Sequence, residues 1–303
     1  MAADSEQRSD PDGRRGVAAL FAGYTIWGAL PIYLRALRAI PAPVIIAYRL
    51  VLCCVCVLAL LRLRGELSSV LAALSAPSRR RRLTITALLI SINWLVYVWA
   101  VSQGRVVEAS LGYFITPLLS VVLGVVVLRE RLRALQSVAV GLAAVGVAYM
   151  TWQLGSPPYI ALVLALSFGT YGLLRKTVAA EALTGLAAET VLITPLGAAY
   201  LAWTESHAQG AFAHASATQL GLLMCSGAIT AMPLWLFSFG ARRVSLATLG
   251  LVSYLSPTLQ FLVGVYFFRE PFDPHRLVGF TCIWCGLILY SADAVMALRQ
   301  GQQ

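Results

Sequence analysis

The segment Ser110 to Glu130, SLGYFITPLLSVVLGVVVLRE, has a second version between Thr248 and Glu270, TLGLVSYLSPTLQFLVGVYFFRE. At a spacing of 140 residues Phe114 meets Tyr254, Thr116 meets Ser256, Pro117 meets Pro257 and Gly124 meets Gly264. The same spacing lays Arg129-Glu130 on Arg269-Glu270. Shared apolar composition does not reproduce an aromatic-x-(Thr/Ser)-Pro, a glycine seven residues on and then Arg-Glu. A fixed internal period constrains a fold before any local propensity does. The chain is therefore two related halves.

The medium follows from the charge content. Of 303 residues 59% are apolar and only 12% charged, with a mean hydropathy of +0.78. A soluble domain carries about 25% charged residues, so the expected class is an all-α polytopic membrane protein in a lipid bilayer. Net charge is +10, but the arginines fall at helix ends rather than along one face, which argues against a nucleic-acid partner. Lys176 is the only lysine, and residues 175–178 lack the glycines of a phosphate-binding P-loop. No HExxH or GxSxG occurs, and His207, His214 and His275 are expected in outer loops or at a helix start, not beside a buried Ser or Cys. Cys53/Cys56 and Cys282/Cys285 have CxxC spacing but sit inside apolar runs, where free cysteine packs as a small hydrophobe. The expectation is no enzyme, no cofactor and no metal.

A bilayer core needs roughly 20 apolar residues per helix. Runs at about 16–37, 42–61, 83–102, 108–128, 134–152, 157–174, 183–203, 217–237, 246–268 and 275–297 meet that requirement, predicting ten transmembrane helices. Residues 1–15 and 298–303 read as cytoplasmic tails, 16–152 as the first five-helix repeat and 157–297 as the second. The first apolar run is too long for a signal-peptide core, and no clear small-residue cleavage site follows it. With the N-terminus inside, 17 of the 23 Lys and Arg face the cytoplasm, the pair 175–176 among them, and five face outward. That excess fits the positive-inside rule and places both termini in the cytoplasm. An odd number of helices per half inverts the second half, an arrangement associated with secondary transporters.

Charges within the bilayer are the sharpest functional signals. Arg49 lies about two turns into the second helix, and its counterpart at 140 is Glu189 in the seventh. Both are candidate substrate-binding groups; a salt bridge between them is possible but not implied. Asn93 and Tyr97, four apart, share a face of the third helix, and Tyr113, Tyr254 and Gln260 add rings and an amide. Pro117 and Pro257 each remove a backbone hydrogen bond and are candidate hinges, with Thr116 and Ser256 hydroxyls available to the freed carbonyls.

The segments Asn93–Leu132, Ser167–Lys176, Ala182–Thr190 and Ser253–Phe272 closely resemble the RarD branch of the EamA family, within the drug/metabolite transporter superfamily. The resemblance spans the chain beyond its tail. It implies a ten-helix, inverted-repeat inner-membrane permease for a small organic metabolite or drug, from a branch linked by name to chloramphenicol sensitivity. Tyr48 departs from the pattern, which more often has His before the arginine; Glu189 is then the main buried titratable group for any coupling to protons. Arg49 is expected to meet a carboxylate or other anionic group. The alternative class is a membrane scaffold acting by contact, which needs no solvated cavity. The sequence is compatible with a monomer or a homodimer.

Overall fold

The computed structural model describes residues 11–128, 134–176, 178, 180–241, 243 and 252–300. Among these residues all regular structure is helical. Seven helices are long and apolar enough to cross a membrane, and three shorter apolar helices cover Val106–Leu119, Tyr159–Arg175 and Leu255–Phe267. The molecule is a multi-pass membrane protein.

The helices are α1 (Pro11–Ala36), α2 (Ala42–Leu63), α3 (Leu67–Ser75), α4 (Pro77–Ser102), α5 (Val106–Leu128), α6 (Ala134–Leu154), α7 (Tyr159–Lys176), α8 (Ala182–Ser206), α9 (Ala211–His214), α10 (Ala217–Ala241), α11 (Leu255–Leu262) and α12 (Pro274–Gln300). α1, α3 and α4 differ from the sequence reading. α1 begins at Pro11, inside the expected tail, and Asp12 in its first turn pairs with Arg243 at 3.7 Å. The 62–82 stretch is not merely a loop. α3 buries Val70 and Ala73, and Ser69 Oγ lies 3.0 Å from Thr184 Oγ1 of α8. Pro77 then opens α4 six residues before the expected start, since proline lacks an N–H that the first turn cannot use.

Neighbouring helices meet through small residues, as expected where lipid is as apolar as the side chains and backbone approach supplies the attraction. A Cβ on Gly112 of α5 would sit 2.8 Å from the Ala161 carbonyl oxygen of α7, and one on Gly28 of α1 would sit 2.6 Å from Leu259 Cβ of α11. In the pairing of α6 with α12, the Gly146 position abuts Gly279 O and the Gly286 position abuts Ala139 O. Since 279 is 139 plus 140 and 286 is 146 plus 140, one contact is the other with the halves exchanged. Residue 146 meets 279 while 139 meets 286, so the two helices run antiparallel. α2 also packs on its own counterpart, α8: Tyr48 near the start of α2 is bonded to Glu205 near the end of α8, and Ser69 of α3, which follows α2, to Thr184 near the start of α8, again antiparallel.

At one end of the bundle, carboxylates take up the unpaired N–H groups that begin helices. Glu270 accepts hydrogen bonds from Val106 N and Val107 N at the start of α5, both 2.8 Å, and Glu108 accepts from Ile160 N of α7. Glu205 accepts from Ala211 N at α9. Glu270 gets there through a distinctive turn. After α11 the chain makes a π-helical turn, Val263–Phe267, closed by Phe268 N to Val263 O, and Arg269 adopts φ +54°. That left-handed geometry is uncommon for a non-glycine residue. Glu270 N then bonds Gly264 O at 3.0 Å, and a Cβ on Gly264 would lie 2.8 Å from Val107 Cγ2. The repeated glycine and Arg-Glu thus lock this end in the second half. In the first half, Arg129 and Glu130 lie outside the described residues. The opposite end, called the arginine-rich end below, carries Arg62, Arg64 and Arg79–Arg82.

Candidate functional site

Between the halves lies a cavity of about 630 Å³. Its wall is built from counterparts: Ile90 with Thr230, Trp94 with Leu234, Tyr97 with Phe237, Tyr113 with Ser253, Thr116 with Ser256 and Pro117 with Pro257. Each pair is 140 residues apart. The cavity reaches Arg175, Ala180 and Leu183, where α7 turns into α8 at the arginine-rich end. Toward the carboxylate-capped end the space is filled by a packed cluster that includes Leu34, Leu37, Val98, Val101, Val106 and Ile160.

Of the residues singled out in the sequence, Arg49, Asn93, Tyr97, Tyr113, Pro117, Tyr254, Pro257 and Gln260 line this cavity. Glu189 does not; it stands one layer behind. The chemistry of each is set by its partners.

Arg49 is 4% exposed. Its Nε donates to Thr230 Oγ1 of α10 at 2.8 Å, and its guanidinium carbon lies 4.7 Å from the Trp94 ring centre. Its Nη1 has no partner, and no carboxylate pairs with it among the described residues. Glu189, 1% exposed, accepts from Thr86 Oγ1 of α4 at 2.7 Å and from Tyr171 OH of α7 at 3.1 Å. Its counter-ion is Arg175, with Nε 3.6 Å from Oε1. The two counterpart charges, Arg49 and Glu189, therefore form no ion pair with each other.

Arg175 is the residue that the sequence reading missed, having placed it among the loop charges of the membrane face. It sits at the end of α7 and folds back along α8 rather than into water. The signal was Gly185, one turn before Glu189: a Cβ there would fall 2.2 Å from Arg175 Nη2. A glycine and a buried carboxylate four apart on one helix face leave a seat for a guanidinium.

Asn93 ties α4 to α7. Its Nδ2 donates to Leu164 O at 3.0 Å and Ser167 Oγ at 2.9 Å, and its Oδ1 accepts from Tyr113 OH at 3.2 Å. Both amide hydrogens are committed, so within the wall Asn93 acts by fixing Tyr113. Tyr113 in turn packs edge-on to Tyr97, ring centres 5.6 Å apart, and the buried Tyr97 hydroxyl has no partner. Gln260 Nε2 donates to Trp27 O at 3.2 Å and Ser256 Oγ at 3.1 Å, leaving Oε1 without a donor.

The prolines are placed differently from each other. Pro117 is interior to α5, but Thr116 Oγ1 donates to Gly112 O, not to the carbonyl freed four residues before the proline. Pro257 lies in the first turn of α11 rather than mid-helix, with the helix interrupted at Tyr254; a missing N–H costs least there. The part of the expected ninth helix from 246 to 251 lies outside the described residues.

Residues 14–152 and 157–292 each match the EamA-like transporter family. A protein of Streptomyces exfoliatus named RarD is 41% identical over 308 residues, covering 100% of this chain and 94% of that one. An uncharacterized transporter of Vibrio cholerae is 40% identical, covering 94% of this chain and 95% of its own length. A solved crystal structure aligns with TM-score 0.59 at 19% identity over 90% of this chain and 96% of the other, a likeness of fold.

Proposed function

The chain belongs to the EamA-like transporter family, and from that premise we propose that it is a secondary-active transporter of a small organic metabolite or drug. It works by alternating access of the central cavity between ten transmembrane helices arranged as two inverted five-helix repeats. The observation that carries the reading is the cavity wall itself, built from residue pairs 140 apart. A site shared by both halves is where an exchange of their conformations would open first one face and then the other. The antiparallel packing of α6 on α12 and α2 on α8 supports inversion.

In this proposal the protein lies in the inner (plasma) membrane with both termini and the arginine-rich end in the cytoplasm. The state described is then open inward, and the carboxylate caps of α5, α7 and α9 close the outer end. Pro117 and Pro257 are hinges, the aromatic side chains form the walls, and Glu189 is the group for any proton coupling. Glu189→Gln should abolish the pH dependence of transport; pH dependence unchanged in that variant would remove it from that role.

Reconstitution tests the whole reading. Compounds that raise the thermal stability of the purified protein should cross proteoliposome membranes with saturable kinetics, and not cross protein-free vesicles. Binding without flux would favour a scaffold instead.

A further inference from the structure

Resting on the transport reading of the cavity, we propose that its ligand is an organic monoanion: an aromatic or amphipathic carboxylic acid bearing a hydroxyl or N–H donor away from the carboxylate. Zwitterionic amino acids and amines are excluded by the same features.

The charge balance of the wall carries the argument. Two arginines, Arg49 and Arg175, line the cavity, and among the described lining residues there is no carboxylate. Arg175 is compensated by Glu189, whose two oxygens also hold Thr86 and Tyr171. Arg49 has no carboxylate partner among the described residues, so its buried charge is unbalanced within the wall. Such a charge costs several kcal/mol when it lacks a partner. A ligand with one negative charge removes that imbalance. An ammonium group would add a second uncompensated charge, since Glu189, the only neighbouring carboxylate among the described residues, is already engaged behind the wall.

The unpartnered polar atoms sort into two kinds. Arg49 Nη1, Arg175 Nη1 and the Tyr97 hydroxyl are donors without acceptors, and Tyr97 stands within electrostatic reach of the Arg49 guanidinium. A carboxylate accepts from several donors at once and bonds a guanidinium in two-pronged fashion. Gln260 Oε1 is an acceptor without a donor, and its orientation is fixed because Nε2 faces the Trp27 carbonyl oxygen. It calls for a hydroxyl or N–H on the ligand. The same wall carries aromatic rings, among them Trp27, Trp94, Tyr113 and Phe168. A volume of about 630 Å³ suits a compound of drug or aromatic-metabolite size.

The experiment uses the full chain in detergent and compounds matched in shape. 3-(4-Hydroxyphenyl)propionate and indole-3-propionate, whose hydroxyl and N–H lie on the ring, are compared with tyrosine and tryptophan (zwitterions), tyrosinamide (cation) and 3-(4-hydroxyphenyl)propionamide (neutral), reading the midpoint of thermal unfolding. The acids are expected to raise the midpoint by several degrees at saturation and the others to leave it unchanged. Arg49→Gln should abolish the shift, Arg49→Lys should retain part of it because the charge survives without the fork, and Tyr97→Phe should reduce it. Gln260→Leu should weaken 3-(4-hydroxyphenyl)propionate while leaving 3-phenylpropionate, which lacks the hydroxyl, unchanged. An acid shift that persists in Arg49→Gln overturns the proposal. Zwitterions, amines or amides that stabilise as strongly as the acids, and lose the effect in Tyr113→Ala, overturn it while leaving the transport cavity intact. No shift from any charge class overturns both.

Discussion

The two arginines of the cavity make opposite predictions from burial and from pairing, and Arg175→Met against Arg49→Met separates them. By burial alone Arg49, 4% exposed, should matter more than Arg175, whose side chain is 15% exposed. By pairing the order reverses. Removing Arg49 gives up a charged hydrogen bond to Thr230, about 1.5–3 kcal/mol, and a desolvated cation–π contact with Trp94, about 2 kcal/mol. It also removes the desolvation penalty of an uncompensated cation, several kcal/mol, so the net change in the ligand-free protein should fall within about 2 kcal/mol of zero. Removing Arg175 leaves Glu189 buried without its counter-charge, which costs about 3–5 kcal/mol. The 3.6 Å separation is an ion contact rather than a hydrogen bond, favouring the lower end. Unfolding followed by tryptophan fluorescence in detergent should give a midpoint markedly lower for Arg175→Met than for Arg49→Met. The double variant Arg175→Met/Glu189→Gln should recover more than half of the loss. Arg49→Met as destabilising as Arg175→Met, or a double variant with no recovery, would refute the pairing argument.

Two further outcomes follow from local geometry. Gly112→Ala puts a methyl 2.8 Å from a backbone oxygen of α7 that no rotamer can move, and should destabilise by about 1–3 kcal/mol, read as a lowered midpoint; an unchanged midpoint would mean that α5 and α7 are less closely packed. Glu270 lies outside the membrane-spanning segments, and burial holds its carboxyl above the usual range despite the N–H groups of Val107 and Val106. A carboxyl raised in the folded state contributes stability fully present below its unfolded value, about 4.3, and lost as pH rises through the folded value. Wild type should therefore lose stability relative to Glu270→Gln as pH rises through the weakly acidic range, measured as paired unfolding midpoints; parallel pH curves would contradict it.

Much of this site was legible in the sequence because a buried polar residue in an apolar run is rarely incidental. Arg49, Asn93, Tyr97 and Gln260 were visible on that ground, and the repeat at 140 brought Pro117 and Pro257 together with them. What a linear reading lacked was partner choice. Asn93 spends its amide on Leu164 and Ser167, contacts that exist only once α4 crosses α7. Arg175 looked like a membrane-face charge since it ends an apolar run, yet Gly185 opens a seat for it beside Glu189. Glu270 read simply as half of a repeated Arg-Glu; its capping of α5 depends on the π-helical turn and the left-handed Arg269. Hydrophobic period reports which face is buried, not which neighbour it is buried against.

The central claim is that one cavity is reached alternately from both faces of the membrane. Replace the native cysteines, introduce Tyr97→Cys, and label reconstituted protein with a membrane-impermeant maleimide added to one side of the vesicle or the other. The account predicts modification from either side, with a bound ligand protecting against both. Modification from one side only, or from neither, would contradict it.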